Sequence, residues 1–440
     1  MIAFVTLLLG LISGTYPIEV TVGGPVASVE YVLDGAPVAE VKGPPWTAKV
    51  DLGPEIRPRE LTVRALDAQG QEIARVTQWL NLPRPPAEVE IVLEKGTDGV
   101  LRAAQLTWQS ISGVKPTSLR LTLDGQPLRV DGEGRAPLPA TNLKVLHVLA
   151  AELWFPPGIA ARKDVAFGGE YGSEVSTELT AVPVRLHAGT ALPPPGQLQG
   201  WFAAGGQALP AAAVEDGPGK VIIVRVPNGQ EIFNRLITPQ LRPMLRRLQK
   251  EMRLSEDDGV RFLSLASNTF RTSRVPASLF DMSQELKTVD GGMFWLLTSS
   301  RLLKESRTSR AKAALRISDA VAVAGLQAAA ENHRRAVVLV LGDEVKDSSR
   351  YTPESVRGYL DSVHVPLFVW SLNGPRSPAA KAWSGAEDVS TVEKLEQAVT
   401  RLRAELDSQR IVWLEGRHLP QAIALTPEAR GVEVLAGRVP

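Results

Sequence analysis

Alternation of apolar and polar positions fills the first part of the chain. Ile18, Val20 and Val22 alternate with polar neighbours, and so do Val29, Tyr31 and Leu33, which run into Asp34-Gly35. Val38 to Val41 returns, Pro44-Pro45-Trp46 interrupts, and Ala48, Val50 and Leu52 alternate again. Leu61, Val63 and Ala65 form the next run, and Asp67 to Gly70 turns the chain into Ile73 to Trp79. A period of two buries one face of a strand and wets the other. Asp-Gly between two such runs signals a tight hairpin, because both turn positions need positive φ. Short strands at this spacing predict an immunoglobulin-like β-sandwich over 16–84. Trp46 and Trp79 are expected to pack in its core or at a domain joint.

Asn81-Leu82-Pro83-Arg84-Pro85-Pro86 reads as a stiff joint, and a second β-sandwich is predicted over 87–184. Leu119, Leu121 and Leu123 alternate into Asp124-Gly125, another hairpin signal. The stretch Asp124-Gly125-Gln126-Pro127-Leu128 echoes Asp34-Gly35-Ala36-Pro37-Val38, as the same hairpin in two related sandwiches would. Asp131-Gly132-Glu133-Gly134 lacks the ligand number and terminal Glu of a calcium loop, so a solvated turn is expected. The stretch 185–219, with Pro193-Pro194-Pro195, reads as a connector that contributes a strand or two.

From Lys220 the period changes. Strand-like runs at Val221–Val226, Val260–Leu265, Ala336–Leu341 and Pro366–Leu372 alternate with helical runs at Glu231–Met252, Ala311–Ala330, Pro353–Val363 and Val392–Leu406. Two of the strands are almost continuously apolar, as strands covered on both faces must be. This alternation predicts a doubly wound, Rossmann-like α/β domain over 220–408, and 409–440 forms a C-terminal β tail. The fold class is thus multidomain: two β-sandwiches followed by an α/β domain.

Composition narrows the chemistry. The 440 residues carry a net charge of +1, so no bulk field draws the chain to nucleic acid or an anionic membrane. There is no cysteine, which excludes disulfides, thiolate metal sites and cysteine nucleophiles. Ile2 to Ile12 is an uncharged apolar run followed by Ser13 and Gly14, which resembles the core of a secretory signal over 1–15. The alternative is a buried first strand. The signal reading implies export to the periplasm or the exterior. No later segment is long and apolar enough to span a membrane.

Catalytic patterns are missing. His147, His187, His333, His364 and His418 show no helical ligand spacing. There is no G-x-S-x-G elbow, phosphate loop or dinucleotide fingerprint, and Gly217-Pro218-Gly219-Lys220 precedes a strand where a phosphate cradle would open a helix. Glu256, Asp257 and Asp258 read as a solvated acidic turn. Arg242, Arg246, Arg247, Lys250 and Arg253, and the run Arg301, Lys304, Arg307, Arg310, Lys312 and Arg316, read as solvated helix faces, with docking to an acidic partner as the sharper alternative.

From about Lys220 to Asn373 the chain resembles a von Willebrand factor A domain of the kind found in secreted multidomain proteins of acidobacterial type. The resemblance rests on Val221–Gln230 as first strand and loop, Asp258–Ser267 as second strand, Gly291-Gly292, Arg334–Glu344 as fourth strand and Val365–Leu372 as fifth. Leu33-Asp34-Gly35 and Pro44-Pro45-Trp46 are similar to the immunoglobulin-type modules that precede such domains. The resemblance implies a metal-ion-dependent adhesion site, with Asp-x-Ser-x-Ser in the first loop and a Thr and an Asp from later loops. Mg²⁺ takes hard oxygen ligands there and keeps a position for a partner's carboxylate. In this chain the matching positions are Val226, Asn228, Gln230, Met293 (or Leu315 with a different gap) and Asp343. Without the first-loop carboxylate most of the attraction for the ion is lost. The expectation is a vestigial site, no cofactor, Mg²⁺ included, no enzyme activity, and binding to other proteins, as a scaffold or envelope component. The alternative is a cation-dependent adhesin with a non-standard site built from Asn228, Gln230 and Asp343.

Overall fold

The computed structural model describes residues 2–6, 8, 10–83, 87–95, 101–110, 115–139, 141–142, 147–155, 159–167, 179–225, 254–265, 275, 279–287, 315–330, 332–342 and 346–436. The described chain is mostly β-sheet with few helices. It divides into two compact units: Met1–Pro83 with Ala181–Leu414 and His418–Pro440, and Arg84–Thr180 with Glu415–Arg417.

The first module has seven strands: β1 (Ile2–Phe4), β2 (Thr15–Val22), β3 (Ser28–Leu33), β4 (Ala36–Val41), β5 (Thr47–Asp51), β6 (Arg59–Leu66) and β7 (Glu72–Leu80). They form a sheet β1-β2-β5 and a sheet β4-β3-β6-β7. The alternating residues read from the sequence, among them Ile18, Val20, Tyr31, Leu61 and Val63, meet in one core. The Tyr31 hydroxyl donates to the Trp46 carbonyl at 2.8 Å, which satisfies its polar tip inside that core. Trp46 lies partly buried against the same cluster.

The second unit repeats this plan with β8 (Ala87–Lys95), β9 (Leu101–Ser110), β10 (Ser118–Leu123), β11 (Gln126–Leu128), β12 (Arg135–Pro137), β13 (His147–Phe155) and β14 (Ile159–Phe167). Its sheets are β12-β9-β8 and β11-β10-β13-β14. Adding seven to each strand number of the first module reproduces both sheets of the second. The two Asp-Gly turns are equivalent as well. Asp34 and Gly35 have φ of 51° and 82°, Asp124 and Gly125 have 50° and 79°, and each pair closes a two-residue hairpin. Asp131 is exposed in a tight turn, its Oδ1 accepting from the Glu133 and Arg135 amides.

β15 (Leu179–Leu186), β16 (Phe202–Ala204), β17 (Gln207–Leu209) and β18 (Ala211–Glu215) come next. They belong to a third β module that is completed only at the far end of the chain, so the segment expected as a connector is largely structured.

Between lies a mainly parallel sheet: β19 (Gly219–Arg225), β20 (Gly259–Leu263), β21 (Leu286–Lys287), β22 (Arg334–Leu341), β23 (Leu367–Ser371) and β24 (Glu387–Asp388), in the order β21-β20-β19-β22-β23-β24. Only β21 pairs antiparallel to its neighbour. The described helices are α1 (Ile317–Ala330), α2 (Pro353–Ser362), α3 (Pro378–Ala382) and α4 (Val392–Ser408). Ile222, Val224, Val337 and Leu339 pack with α1 and α2 on one face, and Val221, Ile223, Val338 and Val340 pack with α4 on the other. Thr352 and Thr391 cap α2 and α4, each accepting from an amide in the first turn. Gly325 lets α1 approach α2: a Cβ there would sit 2.1 Å from Leu360 Cδ2.

β25 (Gln409–Glu415) leaves α4 and pairs antiparallel with β18, Glu215 opposite Ile411. With β26 (Ile423–Leu425) and β27 (Val432–Val434) it completes sheets β18-β25-β15-β27 and β17-β16-β26. Val182, Val184, Phe202, Val412, Leu414 and Ile423 form their core. The α/β segment is therefore an insertion whose two ends emerge from adjacent strands. Arg185 ties β15 to α4 and β27, donating to Glu405 at 2.8 Å and to Glu433 at 2.5 Å.

One acidic residue departs from its expected place. Asp258, expected in a solvated turn, is fully buried. Its carboxylate accepts from the Gly219 amide at 2.6 Å and the Ser255 amide at 3.0 Å, and pairs with Arg334 at 3.2 Å. Ser255 is a local partner, but Gly219 and Arg334, which bury the charge, come from distant segments that no local pattern signals.

Candidate functional site

In a sheet of this order, strands leave the middle in opposite directions on either side of the β19–β22 pair, and a crevice opens beyond their carboxyl ends. β19 ends there in Arg225, which is 2% exposed. α1 runs back toward the start of β22, so its N-terminus lies at the same carboxyl edge. The segment after β22 reaches it: Leu315 and Asp347 form a parallel bridge.

Two carboxylates organise this edge. Asp347 caps α1 from outside the helix. Its Oδ1 accepts from the Ile317 amide at 3.0 Å, its Oδ2 from the Ser318 amide at 3.1 Å and the Ser318 hydroxyl at 2.6 Å. Ser349 adds its amide and hydroxyl on Oδ1, at 3.0 and 2.6 Å. Asp319 is fully buried, pairs with Arg316 at 2.5 Å and accepts from the Arg350 and Tyr351 amides at 3.1 and 3.2 Å. Burial pushes the Asp319 carboxyl up, against the pull of Arg350, Arg316 and Tyr351. Both carboxylates thus have their lone pairs committed to donors of this chain. A bare cation would have to displace several charge-assisted bonds to use either.

The sequence-derived positions Val226, Asn228, Gln230, Met293 and Asp343 all lie outside the described residues, as do Gly291-Gly292 and both basic stretches except Arg316. Arg316, expected on a solvated face, is 4% exposed and paired with Asp319. Leu315, the other position aligned with the family Thr, is 7% exposed in the core shared by α1 and α2, and has no side-chain oxygen to offer. Among the described residues, no group of three or more His, Cys, Asp or Glu is placed to hold a metal ion. No described helix is long and apolar enough to cross a membrane.

Sequence reasoning missed Asp319 and Asp347. Arg316 and Ser349 are local partners, but the bonds that join the two segments span 29 to 32 positions, and the cap of α1 comes from downstream of β22, so the usual cap signal before the helix is missing. Arg225 did carry a signal: it is the one charge in the apolar run Val221–Val226.

Two of the histidines have defined surroundings of their own. His364 is buried after α2, with Nδ1 2.9 Å from the Leu435 carbonyl and Nε2 3.0 Å from that of Pro420. Desolvation lowers its pKa, although both carbonyls favour the charged ring. His147 belongs to the second unit and faces Asp124 at 2.6 Å.

The strand orders define the class: a multidomain, β-rich protein with immunoglobulin-like sandwich modules. No protein-family model matches the chain. No curated protein matches it either. Among solved structures it is similar to the fibronectin(III)-like modules of Clostridium thermocellum CbhA, at 16% identity over 38% of this chain and 94% of that one, with a TM-score of 0.16. It is similar to the central fibronectin-III array of RIM-binding protein, at 12% identity over 44% and 83%, with a TM-score of 0.24. Proximal thread matrix protein 1 from the mussel byssus matches at 11% identity over 50% of each chain, with a TM-score of 0.26. With TM-scores this low, the sandwich modules are identified by the strand order itself.

Proposed function

We propose that this chain is a non-catalytic scaffold or protein-binding protein, in which β-sandwich modules present a doubly wound, von Willebrand A-like domain that has lost its metal site. One observation carries the reading. Two described carboxylates at the carboxyl edge, Asp319 and Asp347, are saturated by Arg316, Ser318, Ser349 and backbone amides, so neither of these two is free to hold a cation. The sheet order and the helices on both faces support the domain type. Binding in this reading uses protein surface with no bridging ion. We also propose export, on the character of the run Ile2 to Ile12; recovery of the protein in the cytoplasmic fraction alone would count against that.

Thermal unfolding in millimolar Mg²⁺ or Mn²⁺ and in EDTA tests the metal part. Equal melting temperatures are expected. An ion that binds only the folded state at a hundred times its Kd would stabilise by about 2.7 kcal/mol. A rise of several degrees with Mg²⁺ would favour the cation-dependent adhesin instead.

A further inference from the structure

We propose that residues 2–13 are retained in the folded protein, as the first strand of the first sandwich and as a strap that fastens this sandwich to the α/β domain. The sequence character of this run is that of a removable leader. The structure gives it work that a removed segment would leave undone.

Topology gives the first reason. The first sandwich matches the second strand for strand, and β1 stands where β8 stands. Ile2, Ala3 and Phe4 pair with Val22, Thr21 and Val20, while β8 pairs with β9 along its whole length. Without β1 the three-stranded sheet of the first module is left with two strands and its counterpart is not. Ile2 and Phe4 face the module's core.

The residues after β1 give a second. Leu11 and Ile12 are both fully buried, and they enter different cores. Ile12 packs with Ile18, Tyr31 and Leu61 of the sandwich, and Leu11 packs with Val275, Tyr351 and Tyr359 of the α/β domain. Successive side chains of an extended segment point to opposite sides, so two adjacent residues can serve two cores.

Polar groups complete the case. Leu11 and Val275 exchange both backbone hydrogen bonds at 2.9 Å. The Tyr351 hydroxyl donates to the Leu11 carbonyl at 3.1 Å, and Arg350 donates to the Ser13 carbonyl at 3.1 Å. Asn81 brackets Ile12: its Oδ1 accepts from the Ile12 amide at 2.7 Å and its Nδ2 donates to the Ile12 carbonyl at 3.0 Å. Asn81 holds this pose at φ 58°, and its own carbonyl accepts from the Tyr359 hydroxyl at 2.9 Å. Removing the segment would orphan buried donors and acceptors on three separate elements, each at the cost of its desolvation. Retention is compatible with either side of a membrane; it excludes only cleavage after the run. It does not rest on the protein-binding reading.

The test is intact-mass measurement of the folded protein, recovered full length with a C-terminal tag from cells that carry export machinery. The expected mass includes residues 2–13. A folded product that begins near residue 14 to 16 and melts cooperatively overturns the proposal. Hydrogen exchange on the same sample gives a second readout. The Leu11 and Ile12 amides should exchange about a thousandfold or more slowly than free peptide, opening only with the core. Exchange at free-peptide rates overturns the strap even where the mass is full length. Tyr351→Phe removes the hydroxyl that donates to the Leu11 carbonyl and keeps the ring. It should speed exchange at Leu11 several-fold and leave the β6 amides unchanged, and unchanged exchange at Leu11 counts against the strap.

Discussion

The two sandwiches are built to one plan from sequences with little in common, and their differences fall at matched positions. The Leu33↔Leu61 pair of the first corresponds to Leu123↔Leu149 of the second, because each leucine pair sits directly before the Asp-Gly turn. Counting from that row, Ser28↔Leu66 matches Ser118↔Trp154, and the opposed charges Glu30↔Arg64 match Arg120↔Glu152 with the signs exchanged. An opposite-charge pair on a solvent face works in either orientation. What the plan holds constant is the inward row and the turn; what it lets vary is which partner carries which charge.

The first strand offers the largest test of this equivalence. Phe4 of β1 and Ile91 of β8 both point into their cores. If β1 is the structural equal of β8, Phe4→Ala should destabilise the first module by about 3 kcal/mol, as Ile91→Ala should the second. Urea unfolding read module by module through hydrogen exchange gives both values. A neutral Phe4→Ala beside a costly Ile91→Ala would break the correspondence at the strand on which the strap depends.

A smaller effect is expected one row into the core. Leu61 faces Gln78 across β6 and β7, and Leu149 faces Val165 across β13 and β14. Gln78 is 2% exposed, and neither its Oε1 nor its Nε2 has a hydrogen-bond partner. Val165 is a core residue of the second module. An unsatisfied buried amide costs about 1–3 kcal/mol. Gln78→Val should therefore raise the urea midpoint of the first module by the equivalent of about 1–2 kcal/mol. Val165→Gln should lower that of the second by about 2 kcal/mol. A destabilising Gln78→Val would mean that the amide is bonded in solution, through a buried water for instance.

How much of this was legible in the sequence depends on how local the cause was. The sandwiches were, because alternation and Asp-Gly turns are short-range signals; after Lys220 the four strand runs and the helical runs Pro353–Val363 and Val392–Leu406 coincide with described elements, α1 covers Ile317–Ala330 of the run Ala311–Ala330, and the run Glu231–Met252 lies outside the described residues. The third β module was not: Val182 and Val412 share a core across the whole inserted segment, and nothing in 185–219 alone announces the partner strand. The roles of Asp258 and Asp347 were illegible for the same reason, since beside local donors each takes bonds from a segment that only the fold brings near. Ile2 to Ile12 shows a different limit. An uncharged, largely apolar run is common to export signals and buried strands, so composition does not separate them; the Asn81, Arg350 and Tyr351 contacts are what the retention proposal rests on. At the carboxyl edge the loop expected at Val226 to Gln230 lies outside the described residues, and the residues described there show a caged pair of carboxylates, Asp319 and Asp347, that no family position pointed to.

The subtlest contrast lies in the turns. Asp34 is clamped by Arg59 at 2.7 Å and by the Glu60 amide at 2.9 Å; Asp124 is clamped by His147 at 2.6 Å. Arg59 and His147 hold the same register position, each two residues before the leucine that faces the residue preceding the turn. One clamp is therefore charged at every relevant pH and the other titrates. The hydrogen bond to Asp124 raises the His147 pKa above its ordinary 6.5 against some desolvation, and the Asn142 carbonyl on the other ring nitrogen favours the same charged form. The clamp therefore contributes fully below 6.5, where the folded ring is charged, and is lost as pH rises through the elevated folded value. An exposed pair of this kind contributes under about 1 kcal/mol, so local exchange is a better probe than global melting. Amides of the Asp124-Gly125 hairpin should open more readily as pH goes from about 6 to about 8, after correction for intrinsic exchange. Those of the Asp34-Gly35 hairpin should not. His147→Arg should flatten the dependence in the second module, and Arg59→His should introduce it in the first. If the His147→Arg hairpin kept the wild-type pH dependence, the clamp at Asp124 would not be its source.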